Sequence, residues 1–155
     1  MKFATFLVLI LSTSLTWAAG KIPACMDKTE RLSFNESRVL MWRELTEQKF
    51  VGRAFVRGVI VRLIEDRQNH MHFEVDLDGN LSTQDDRVEV IYNTKFGALT
   101  DYRIGDQVIA CGDFIKDRWS PLGAVIHWLH SNPKKSAPHE HGFLIINDVI
   151  FGQIH

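Results

Sequence analysis

The chain reads as a mainly β protein, a small OB-like five-stranded barrel with an N-terminal helix and a C-terminal hairpin. Three observations predict this. From residue 52 onward, β-branched and aromatic residues accumulate and good helix formers thin out, as in RAFVRGVIVRLIED. The segments defined by that texture number five or more, with one irregular crossover between the third and the fourth. A Gly105-Asp106 turn of the G-D-x-V type then launches the fourth strand, a sequence of events that fits a closed barrel.

The first twenty residues stand apart. Met1-Lys2 precedes an apolar run over 3–11, a polar stretch over 12–16, and the small residues Ala18, Ala19 and Gly20. This is the order of a secretory signal peptide, with cleavage expected after Ala18 or Gly20. The expected organisation is a signal peptide over 1–20, a lead-in and helix over 21–50, and the barrel domain with its His-rich loop over 51–155. No later stretch is long and apolar enough to cross a bilayer, so the expected location is outside the cytoplasm, periplasmic or secreted. Losing Lys2 leaves 17 basic against 19 acidic residues, a formal net charge of −2. A tight non-specific nucleic-acid binder normally carries a basic surplus, and this chain does not. In an exported chain, the two cysteines, Cys25 and Cys111, are expected to pair. By loop-closure entropy the bond contributes roughly 4 kcal/mol.

Residues 21–31 have no clear period and read as a lead-in. Ser33-Phe34-Asn35-Glu36 has the S-x-x-E spacing of a capping box, which predicts a helix over 36–48. A first strand follows from residue 53, with Gly58 marking a bulge or tight bend. The stretch over 70–77 alternates. Met71, Phe73, Val75 and Leu77 share one face, and His70, His72, Glu74 and Asp76 the other. Asp78-Gly79-Asn80 is a turn signal, after which Val88, Val90 and Tyr92 alternate with Arg87, Glu89 and Ile91. Residues 94–103 are an irregular connection with room for one helical turn. The fourth strand runs to Phe114, the fifth covers 124–128, and a last pair flanks an Asn147-Asp148 turn.

The densest chemistry lies over 123–142, GAVIHWLHSNPKKSAPHEHG, which holds His127, His130, His139 and His141, four of the chain's seven histidines. The Asn132-Pro133 and Ala137-Pro138 pairs break regular structure there, so these histidines flank a loop at a strand end. Imidazole suits both proton transfer near neutral pH and borderline metals, which makes this a site candidate. The bland alternative is a set of surface histidines that meet nothing.

On these residues the chain from about 52 to 153 resembles a family of exported bacterial proteins catalogued only as a domain of unknown function. Its pattern places a His three before a strand Phe, as His70 and Phe73 stand here. A G-D turn follows, matched by Gly105-Asp106, then G-x-V-I-H-W-x-H-x-x-P, matched from Gly123 to Pro133, then H-x-x-G-W, matched from His139 to Gly142. Asn93 occupies the family's Asn at the end of the third strand. The chain departs at Phe143, where the family has Trp, at Ser131, and at Tyr92, where His is common. The resemblance implies the fold and the site, and it implies no reaction.

Two classes of function follow. The first is a metal-assisted or His-based hydrolase of phosphodiesters, nuclease-like, with His127, His130, His70 and Asn93 as catalytic candidates. A divalent metal such as Zn would take His127, His130 and His139. In an extended strand, residues three apart face opposite ways, so His127 and His130 converge only if the strand ends near Trp128. The second is a binding module for nucleic acid, a glycan or a protein partner, with Trp128 and His139 as contacts and Trp119, Tyr92 and Phe96 as further aromatic candidates.

Overall fold

The computed structural model describes residues 22–132, 134 and 139–153; the expected signal peptide and the proline breaks at Pro133 and Pro138 lie outside the described residues. The described residues are mostly β, with one α-helix. A two-stranded ribbon, β1 (Met26–Asp27) and β2 (Glu30–Arg31), occupies the lead-in and leads to helix α1 (Glu36–Leu45). Then come β3 (Val51–Arg67), β4 (His70–Asp76), β5 (Arg87–Asn93), a 3-10 turn over Thr94–Phe96, β6 (Gln107–Lys116), β7 (Ala124–His127), β8 (Phe143–Ile146) and β9 (Val149–Phe151).

The long strand β3 closes the sheet on itself. Its first half pairs with β6, from Val51↔Ile115 to Val59↔Gln107, and its second half pairs with β4, from Val59↔Asp76 to Arg67↔His70, all antiparallel. The remaining neighbours run β4 to β5, β5 to β7 and β7 to β6, with β5 and β7 parallel. Gly58 sits where β3 exchanges one partner for the other. A Cβ there would stand 2.2 Å from the Asp76 carbonyl oxygen, so the close approach of β3 to β4 requires glycine. It acts as the tight bend; the register irregularities of β3 fall later, between Ile60 and Arg62 and between Leu63 and Glu65.

The alternation read from the sequence sets the core. Met71, Phe73, Val75, Val88, Val90, Tyr92, Val108, Ala110, Phe114 and Ile126 turn inward and are buried together. Side chains of opposite parity on β4, β5 and β7 form an outer face. A smaller apolar cluster lies outside β6: Cys25, Phe55, Ile109, Cys111, Phe143 and Ile145, with Leu32 and Phe34 against it. The Cys25–Cys111 disulfide staples the lead-in there. Arg53 is buried beside the bond, paired with Asp113 at 2.6 Å and donating to the Met26 carbonyl at 2.9 Å.

Two local expectations are corrected. The helix ends at Leu45 rather than residue 48, and its N-cap is Asn35 rather than Ser33, with no side-chain capping bond. The Asn35 amide instead bridges to β3, donating to the Arg53 carbonyl at 2.9 Å and accepting from the Phe55 N–H at 2.8 Å, while Glu36 accepts from the Arg57 N–H at 3.1 Å. Docking of the helix on the sheet thus takes the polar groups that an isolated capping box would have used.

Candidate functional site

β7 ends at His127, and Trp128 has φ +60, a left-handed conformation that turns the chain out of the sheet. The turn is boxed in by backbone. A Cβ on Gly142 would stand 2.1 Å from the Trp128 carbonyl oxygen and 2.5 Å from that of Cys111, while a Cβ on Gly152 would stand 2.2 Å from that of Leu129. Gly142 N–H donates to the His130 carbonyl at 2.8 Å, Ser131 N–H donates to that of Gly152 at 2.6 Å, and Leu129 plugs the core. The histidine-bearing strand end is therefore fixed on a rigid scaffold.

Five of the expected site residues form one row of rings. His70 meets His127 edge to face at 5.4 Å between centroids; His127 stacks on Trp128 at 4.6 Å; Trp128 stacks on His139 at 4.8 Å. His130 meets His139 edge-on at 5.0 Å and lies flat on Phe96 at 3.5 Å. The cluster is contiguous, but the Trp128 indole separates its two ends. His70 and His127 open on one side; His130 and His139 lie on the other.

That partition decides what the rings can do. Among the described residues, no set of three potential ligand groups that includes a histidine brings its ligand atoms within 4.8 Å of one another. The expected trio of His127, His130 and His139 is thus not arranged as a metal site in this conformation, because an indole occupies the space between two of its members. His130 is buried, with Nδ1 at 2.8 Å from the Ser131 carbonyl. Burial pushes its imidazole down in pKa, with the neighbouring His139 adding to the effect against the Ser131 contact. His127 is pushed down to about 4, chiefly by burial and then by His70 and His130, so it is neutral at pH 7. Its Nε2 is shut in without a hydrogen-bond partner. His141 points elsewhere in the loop, its Nδ1 accepting from the Asn132 N–H at 3.1 Å.

On the open side is a cavity of about 270 Å³ lined by Glu65, Gln68, His70, His72, Ile91 and His127. Its best-defined feature is His72, whose Nδ1 is 2.6 Å from a carboxylate oxygen of Glu89. Glu89 is buried, and its other oxygen accepts from the Ser120 hydroxyl on the loop between β6 and β7. His72 Nε2 is left facing Glu65, 3.9 Å away, too far for a hydrogen bond. His70 is arranged alike, with Nδ1 at 3.1 Å from the Gln68 carbonyl. An imidazole that donates Nδ1–H to a carbonyl or carboxylate presents Nε2 as the free acceptor. Asn93 stands opposite His70 in the β4–β5 register; its side-chain oxygen accepts from the Lys95 N–H at 3.0 Å, capping the 3-10 turn, and this leaves its NH₂ as the donor.

Sequence reasoning singled out His70 and His127 and passed over their closest chemical neighbours, His72 and Glu89. The signal for His72 was present in the alternation that set it beside His70. Glu89 carried none, since its value lies in a diagonal contact across two strands.

No protein-family model matches the chain, and no curated protein matches it either.

Proposed function

We propose that this chain is an exported OB-like barrel that hydrolyses phosphodiesters by histidine acid–base chemistry. The observation that carries the reading is the buried Glu89 carboxylate bridging His72 and Ser120 at the edge of the cavity. A buried carboxylate is costly unless it is paired, and here it holds an imidazole in one tautomer with its second nitrogen facing open space. This is the orienting arrangement used by histidine general bases.

The ring of strands supports the rest. β3, β4, β5, β7 and β6 close in that order with β5 and β7 parallel, which fits an OB-like barrel. The cavity then falls on the outer face of its second and third strands, β4 and β5, where OB domains take extended ligands. Export is supported by the leader-like first twenty residues and by the compatibility of a disulfide with an oxidising compartment. The resemblance to the exported bacterial family rests on the quoted motifs alone.

In the proposed reaction, His72 Nε2 takes a proton from an attacking water, and the water oxygen bonds to phosphorus. The bond from phosphorus to the leaving oxygen breaks, and protonated His70 delivers the proton that this oxygen needs. Glu89 offsets the charge that His72 acquires, and the Asn93 amide donates to a phosphoryl oxygen. His127, neutral and with its Nε2 shut in, positions His70 through its edge contact and is not itself a proton carrier.

The test is turnover of bis-p-nitrophenyl phosphate and of a single-stranded oligonucleotide by purified protein, with elemental analysis of the same sample. Turnover lost in H72A and H70A and kept in EDTA supports the reading. Equal rates in wild type and H72A would refute it. Bound zinc at one per chain, with EDTA-sensitive turnover, would favour the metal-assisted form.

A second reading is favoured by one observation. Trp119 is 81 % exposed on the β6–β7 loop, one residue before Ser120, with the Arg118 guanidinium 4.9 Å over its ring. An exposed aromatic with a cation beside it suits stacking on a base or sugar, and a binding module would use it. Trp119 fluorescence quenching by oligonucleotides or glycans without turnover would select that reading.

A further inference from the structure

At the end of the β4–β5 hairpin away from the histidines, Asp76, Asp78 and Asp86 each bring one carboxylate oxygen to within 4.8 Å of the others. The loop is built around them. Asp76 Oδ1 accepts from the Gly79 N–H at 2.9 Å, and Asp86 Oδ2 accepts from the N–H groups of Leu77 and Asp78 at 3.2 and 2.7 Å. Asp76 is 0 % exposed and Asp86 4 %, while Asp78 opens to solvent.

The remaining oxygens of the two buried aspartates, Asp76 Oδ2 and Asp86 Oδ1, are buried with no hydrogen-bond partner. Buried carboxylate oxygens are normally matched by donors or by a cation, and these have neither in full. The cationic side chain at hand is Arg87. Its Nε lies 3.8 Å from Asp76 Oδ2, beyond hydrogen-bond range, and its Nη1 is committed to Glu74 at 3.0 Å. Glu74 has a second partner in Arg62, whose Nε is 2.6 Å from its other oxygen, so two guanidinium groups face Glu74 and Asp76, and the charge of Asp78 and Asp86 is left over.

We propose that this loop binds a divalent calcium ion through Asp76, Asp78 and Asp86. The donor set is all oxygen, which selects a hard cation over zinc or copper. One side is a solvated loop, so waters and loop carbonyls complete the six to eight oxygens that calcium accepts at varied angles; magnesium demands a stricter octahedron. The spacing Asp76-x-Asp78-Gly79-Asn80 alternates acids as oxygen-ligand loops do, yet its glycine falls at the fourth place rather than the sixth, so this is no EF-hand. The bound ion would fix the long β4–β5 turn and neutralise the far end of the face that carries His70 and His72.

The experiment is isothermal titration of EDTA-stripped, purified protein with CaCl₂, with MgCl₂ as a second titrant and with the variants D78N, D86N, D85N and H127A. The expected result is one calcium per chain, binding weakened at least about tenfold in D78N and more in D86N, and unchanged affinity in D85N and H127A. Asp78 is on the surface and Asn can still accept from the Asn80 N–H, so D78N keeps the fold while losing one ligand charge. H127A separates this site from any metal on the histidines. No calcium binding at about 5 mM, or equal affinity in D78N and wild type, would overturn the proposal.

Discussion

Acid should weaken the fold through His127 in a way that can be isolated. The native ring is pushed down to about 4 by burial and by the surrounding histidines, against an ordinary value of 6.5. Between those values the unfolded chain binds a proton that the native chain refuses, so stability rises with pH and is lost as pH falls from about 6.5 toward 4. At pH 4.5 the linkage amounts to about 2.5 kcal/mol relative to pH 7.5, a ceiling that solvent access to the partly exposed ring lowers. His130 shifts the same way and adds to the loss. The assay is urea unfolding at pH 7.5 and 4.5 for wild type and H127Q, which keeps a polar side chain of similar reach and cannot titrate. Wild type should lose about 2 kcal/mol more than H127Q on acidification. An equal loss in both proteins would mean that the ring takes up its proton in the folded state, and the account of an enclosed, neutral His127 would fail.

E89Q should lower kcat by about a hundredfold while changing the melting temperature little, because the amide still reaches His72 and Ser120 but supplies no charge to a protonated imidazole; an unaltered kcat would remove Glu89 from the mechanism. Native protein should show no free thiol, and C25S should cost roughly 4 kcal/mol, given that the bond closes a loop of 86 residues' separation; labelling of two thiols in unreduced protein would contradict the pairing. G142A should cost about 3 kcal/mol or more, since its Cβ would press on two backbone carbonyls that cannot rotate away; a near-neutral effect would show that the Trp128 turn yields. Exported protein should begin at Ala19 or Lys21 by mass spectrometry; an intact Met1 would count against a cleaved leader.

Much of the fold was legible because its determinants are local. The period-two pattern over 70–77 placed Met71, Phe73 and Val75 in the core and left His70 and His72 outside, as the buried set shows. The Asn147-Asp148 turn was legible from its residue types, and both adopt positive φ, 46 and 67. The capping box failed for a complementary reason. Ser33 and Glu36 have the right spacing for an isolated helix, but Asn35 had a stronger use in bridging α1 to Arg53 and Phe55, a pairing across eighteen and twenty residues that no local pattern contains.

The site divided along the same line. The strand end at Trp128 was anticipated as the condition for His127 and His130 to approach, and the chain does leave the sheet there. What surrounds the histidines depends largely on residues far away in sequence: Phe96 lies under His130 and Glu89 holds His72, while the neighbouring Trp128 indole separates His127 from His139. Histidine density therefore identified the neighbourhood and gave no weight to His72. A loop with four histidines is conspicuous, whereas the orientation of an imidazole is set by the group behind it, and at His72 that group is a carboxylate on the next strand over. The chemistry of this face is best sought where buried charge and open nitrogen coincide, at His72, rather than where histidines are most numerous.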